Sequence, residues 1–164
     1  MSGVLLFWLC LWLPAPAEPP ADAVRLIEEG RAREAVPLLE QAAQKEPGSA
    51  VIQFHLAWAL SLAGEKERAI AGFRRVLELD PSIRAAKLNL AHLLLEAGRP
   101  VEAQPLLEEC LKETPDDPKA LWLLGRAFAG GGQWRAAAEA FEKASQKEPG
   151  DFGLAMALAN AWER

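Results

Sequence analysis

Tyrosine is absent from this chain, and cysteine, histidine and methionine each occur only twice in 164 residues. That is too few soft ligands for the usual four-ligand structural zinc site. Cationic charge is also short. Eighteen Lys and Arg stand against 23 Asp and Glu, a formal net charge of −5. Nucleic-acid backbones are bound by Lys and Arg, so the chain is a poor candidate for that partner class. What remains is 51% hydrophobic and 25% charged, the composition of a folded soluble protein rather than a disordered one.

Residues 4–13 form an unbroken apolar run of ten. As a helix it would span ~15 Å, about half a bilayer core, which is short for a transmembrane segment. It matches the apolar region of a secretory signal peptide, and Ala15, Pro16 and Ala17 supply the small residues wanted before cleavage. We place cleavage after Ala17, which makes residues 1–17 a signal and the protein exported, periplasmic or secreted. If uncleaved, the same segment would anchor the protein to a membrane or be buried. Cleavage removes Cys10 and leaves Cys110 alone, so no intramolecular disulfide can form.

A period of 34 organises the rest. Pro47, Pro81, Pro115 and Pro149 recur at that interval, as do Gly30, Gly64, Gly98 and Gly132. Ala35, Ala69, Ala103 and Ala137 form a small column, and Ala23, Ala57, Ala91 and Gly125 form another. Large apolar columns run through Leu26, Leu60, Leu94 and Phe128, and through Leu39, Phe73, Leu107 and Phe141. Within one unit the spacing predicts a helix over 51–63, a turn at Gly64 and a second helix over 67–80, stopped by Pro81. Pro37 and Pro105 fall in predicted second helices near their starts, where a slight bend and no break is expected. A single pair is too small to bury its own apolar face, so neighbours must stack. The units fall at about 18–49, 50–83, 84–117 and 118–151, with a partial fifth at 152–164.

These columns together resemble the tetratricopeptide repeat, over about residues 20–162. The segment EKERAIAGFRRVLELDP is similar to a typical second half of that repeat. The aromatic often found early in the repeat is missing, with Gln53, Lys87 and Leu121 in its column. The resemblance implies an all-α, right-handed superhelical solenoid of antiparallel helix pairs. It also implies a binding scaffold without catalysis, whose opening helices line a concave groove for protein or peptide segments. By that resemblance the groove residues are Phe54, Leu88, Trp122 and Met156, and one turn on Trp58, His92 and Arg126. The expected ligand is an apolar stretch of polypeptide with an acidic group near Arg126 and Lys119. The C-terminal carboxylate clamp of some relatives is not expected. Asn89 and Lys119 match it, but Phe54, Trp58 and Leu123 stand where Lys, Asn and Arg are required.

Other chemistry has weaker support. His55 and His92 lie in different columns with no ligand cluster around them, so no metal or catalytic role is assigned. Cys110 shares a column with Ala42, Val76 and Ala144 and reads as a small buried hydrophobe. Gly130, Gly131 and Gly132 lack the Lys-Ser/Thr of a phosphate loop and read as a loosened turn. No cofactor is expected. The final helix, with Met156, Leu158 and Trp162, has no clear polar outer face. Two explanations stay open: the chain is the repeat fragment of a longer multidomain protein, or its C-terminal face self-associates as a structural module.

Overall fold

The structure, a computed structural model, describes residues 18–147 and 149–164, without the side chain of Phe152. The apolar run at 4–13 and the cleavage position lie outside the described residues. The described chain is α-helical throughout. Its helices are α1 (Ala21–Glu28), α2 (Ala32–Lys45), α3 (Ala50–Leu62), α4 (Lys66–Leu79), α5 (Arg84–Glu96), α6 (Pro100–Glu113), α7 (Pro118–Gly130), α8 (Trp134–Lys147) and α9 (Phe152–Trp162). Each packs on its neighbour in chain order, and α5 also reaches α7. The result is a right-handed superhelical array of antiparallel pairs.

Turn chemistry sets the pairs. Gly64 sits at φ 84°, a left-handed conformation that costs a glycine little. Its N–H donates to the Ser61 carbonyl at 3.1 Å, and the Glu65 N–H donates to the Leu60 carbonyl at 2.9 Å. These two bonds satisfy carbonyls that the end of α3 would otherwise leave open. Gly30, Gly98 and Gly132 repeat the arrangement at φ 76°, 71° and 74°. Across the other turn, three opening helices start on a side-chain cap. Ser49, Asp117 and Asp151 accept from the N–H groups of Ile52, Ala120 and Leu154 at 3.3, 3.1 and 3.0 Å.

Pro37 and Pro105 are each the sixth residue of their helix, one residue further in than the sequence spacing places them. Both helices remain continuous. Both prolines are exposed, so water can reach the outer face where each leaves a carbonyl without an amide partner.

The core follows the columns. Ala35, Ala69, Ala103 and Ala137 are fully buried, as are Leu39, Phe73 and Leu107, with Phe141 nearly so. Small side chains bring the paired helices together. A methyl on Gly72 would lie 2.8 Å from the Ala57 Cβ, and one on Gly125 would lie 2.5 Å from the Phe141 ring. Gly130 has the same role between units, since its methyl would meet Pro100 at 3.1 Å. The glycines at 130–132 are therefore not merely a loosened turn. The first of them admits α6.

One charge is taken inside. Lys87, 7% exposed, reaches Glu109 at 3.1 Å and Glu113 at 3.4 Å on α6. The Glu109 hydrogen bond, opposed by burial and reinforced by Glu113, holds the ammonium above its ordinary pKa. Beside it Arg84 pairs with Asp117, the α7 cap. The Lys87 pairs join the two helices of the third unit, and the Arg84 pair ties that unit to the start of α7.

Gly125→Ala tests the close approach. Alanine improves helix propensity by up to ~1 kcal/mol, but overpacking a rigid ring costs about 1–3 kcal/mol. A net loss of about 1–2 kcal/mol is expected in urea denaturation, partly restored by adding Phe141→Leu. An unchanged midpoint would contradict the packing.

Candidate protein-binding surface

The opening helices α3, α5, α7 and α9 carry the groove columns, and α3 is the most apolar of the first three. From Ala50 to Leu62 it contains no charged residue. A helix with one buried face needs only one apolar stripe, so a second stripe lies free. Val51, Trp58 and Leu62 are 44%, 37% and 54% exposed, and their spacing of seven and four places them along one side. His55 falls on the same stripe. Its Nδ1 hydrogen-bonds the Val51 carbonyl at 2.8 Å, and its ring stands 6.3 Å from Trp58.

The seven residues expected in the groove separate into two depths. Trp58 and Met156 are exposed, and His92 is partly so. Arg126 is half-buried, its guanidinium 4.8 Å from the centre of the Trp122 ring. Phe54, Leu88 and Trp122 lie deeper. Phe54 meets Phe73 edge-on at 5.6 Å, so much of its ring closes the core of its own pair. Leu88 is 7% exposed and belongs to the core. Trp122 packs against the main core and the smaller cluster around α8 and α9. On α3, α5 and α7 the earlier turn therefore forms the floor and the later turn the accessible layer, whereas Met156, in the earlier column on α9, is exposed.

Sequence reasoning passed over Val51 and Leu62, which extend the stripe by one turn at each end. The signal was available in the uncharged run of α3. The cleft beside Lys119 was not foreseen. Lys119, Pro118, Trp122, Asp151 and Leu154 line a cleft of about 230 Å³ between α7 and α9.

The centre of the surface is cationic. His92 Nε2 stands 3.5 Å from Glu96, which also pairs with Lys66 at 3.2 Å. Desolvation pushes the His92 pKa below the ordinary imidazole value. Glu96 opposes that, while Arg126, Lys119 and Lys66 add to it. Elsewhere, burial pushes the Cys110 thiol up, which makes it a poor nucleophile. Among the described residues no group of three His, Cys, Asp or Glu side chains could hold a metal ion. No described helix is long and apolar enough to cross a membrane.

The lowered His92 pKa carries a sign. The unfolded imidazole takes up a proton first, so its contribution to stability is full above the ordinary pKa. That contribution falls as pH drops through the ordinary value toward the folded one. The NMR titration midpoint of the His92 ring should lie below that of a free imidazole. A midpoint at or above it would contradict the desolvation of the ring.

The tetratricopeptide repeat family description matches three overlapping segments, residues 26–93, 62–126 and 94–161. The rat protein DnaJ homolog subfamily C member 3 is 28% identical over 93 residues, 57% of this chain and 18% of that protein. The Drosophila melanogaster protein O-mannosyl-transferase Tmtc3 is 38% identical over 56 residues, 34% of this chain and 6% of that protein. The chain thus spans less than a fifth of the curated relatives it matches. Among solved structures, MamA 41-end from Desulfovibrio magneticus RS-1 superposes with a TM-score of 0.82 at 28% identity. That match covers 85% of this chain and 79% of that one. YrrB, described as a TPR protein with an unusual peptide-binding site, gives a TM-score of 0.78 at 16% identity, over 86% of this chain and 73% of that one. With the family matched from residue 26 to 161, the chain belongs to the tetratricopeptide repeat proteins.

Proposed function

We propose that the chain is a non-catalytic scaffold that holds apolar polypeptide segments against the exposed layer of its opening helices. The family acts in protein–protein interaction, and the observation that carries the finer reading is the free stripe of Val51, Trp58 and Leu62 on α3. Contiguous exposed apolar side chains, unlike single ones, commonly mark an interaction surface. A half-exposed tryptophan is a favoured anchor, since it buries much area for little side-chain entropy. Phe54, Leu88 and Trp122, packed against the core, form the floor of the groove columns on their own helices.

The test is selection of short peptides from a displayed random library on the full chain. Selected peptides should carry apolar side chains at alternate positions. Trp58→Ala with Leu62→Ala should weaken their binding by at least about tenfold, or ~1.4 kcal/mol. Val101→Ala alters an exposed apolar residue on α6 and should leave binding unchanged. Equal binding by all variants would remove the stripe from the function.

Two further readings belong with this one. The apolar run at 4–13 supports an exported protein, cleaved after Ala17, that assists assembly of an envelope or secreted complex. Exposed Met156 and Trp162 on α9, at 50% and 60%, support a second reading as a self-associating module. Light scattering coupled to intact mass of the exported protein reads both. The scaffold reading expects a monomer beginning at Glu18. A defined dimer would favour the second reading, and a retained Met1 would contradict cleavage.

A further inference from the structure

The groove reading leaves the chemistry of the ligand's second half unspecified, and the cations around α5 and α7 bear on it. Lys66, Lys119 and Arg126 all act on His92 from neighbouring elements. Two carboxylates stand near them. Glu96 is shared between Lys66 and His92, and Asp151 accepts the Leu154 N–H at the start of α9. Among the described residues, neither Lys119 nor Arg126 has an ion-pair partner, although most other cations do. This surplus sits on a chain whose net charge is −5.

Arg126 is also held in place. Its guanidinium lies over the Trp122 ring at 4.8 Å. The cation–π contact restricts the side chain, and no described carboxylate takes up its N–H groups. A planar fork with its orientation already restricted is suited to a carboxylate, which it can bind through two parallel hydrogen bonds.

We propose that the groove takes a two-part polypeptide segment, with apolar side chains on the α3 stripe and an internal acidic side chain on Lys119 and Arg126. The proposal rests on the groove reading and adds the charge and spacing of the ligand. α5 packs on α7, and α3 stands one unit further along the array; at about 8–10 Å for each unit step, α3 and α7 are about 16–20 Å apart. An extended chain rises ~3.3 Å per residue, which puts the acidic residue about five or six positions from the apolar anchor. The carboxylate belongs to a side chain and not to a chain terminus, because Phe54, Trp58 and Leu123 replace the Lys, Asn and Arg that a clamp for a terminal carboxylate requires.

The test uses two capped synthetic peptides with alternating Leu and Thr at one end. About six residues on, one carries a pair of Glu and the other a pair of Gln. Binding to the full chain is read by fluorescence anisotropy at low salt, where surface electrostatics are least screened. The Glu peptide should bind about tenfold more tightly than the Gln peptide. Arg126→Gln and Lys119→Gln should each reduce that preference and leave the Gln peptide's affinity unchanged. Arg75→Gln on α4 should leave the preference intact. Arg126→Lys keeps the charge and loses the fork, so it should keep only part of the preference, and circular dichroism checks that each variant is folded. Equal binding of the two peptides by the native chain would overturn the acidic half and leave the apolar groove standing. A preference that survives both Gln variants would also overturn it. Failure of both peptides to bind would overturn the groove reading and this proposal with it.

Discussion

The structure depends on one contact repeated along the chain: a residue with little or no side chain where two helices of a pair cross. At Ala57 against Gly72, and at Gly125 against Phe141, there is no room for another methyl group. That closeness brings the large residue of the next column, Phe73 or Phe141, into the gap and seals the pair on one side. The other side stays apolar and must be covered by the next pair. Interiors packed at crystal-like density pass such a constraint along, so each unit orients its neighbour.

The same constraint explains why the opening helices hold the functional surface. Their inner stripe is committed to the partner helix and to the following unit. Their other side is released from packing, and its residues can be chosen for a ligand. On α3 the released residues are apolar, at Val51, Trp58 and Leu62. On α5 and α7 they are His92, Lys119 and Arg126. One backbone geometry thus presents an apolar end and a cationic end without a change of fold.

Much of this was legible before any coordinates. The 34-residue columns locate helices, turns and buried small residues, because each column answers a local requirement: a left-handed turn at Gly64, a close crossing at Ala57, a filled gap at Phe73. Depth within the groove was less legible. Phe54, Leu88 and Trp122 share a column, but their burial depends on how closely adjacent units lean together, which no single unit encodes. Leu88 lies on α5, in the middle of the array, and is covered, whereas Met156 on α9 is open. Lys87 occupies a column where aromatics are common, and its burial depends on Glu109 and Glu113 one helix away. Pro37 and Pro105 sit one residue further into their helices than the sequence spacing places them, because helix boundaries shift by a residue or two.

If each pair relies on its neighbours to cover its apolar side, stability must fall from the middle of the array toward both ends. Native-state hydrogen exchange measures this directly. The account predicts the slowest amides in α4 to α7, with exchange quickening stepwise to α1 on one side and α9 on the other. Equal protection along the whole chain, or an end pair as protected as the centre, would contradict it.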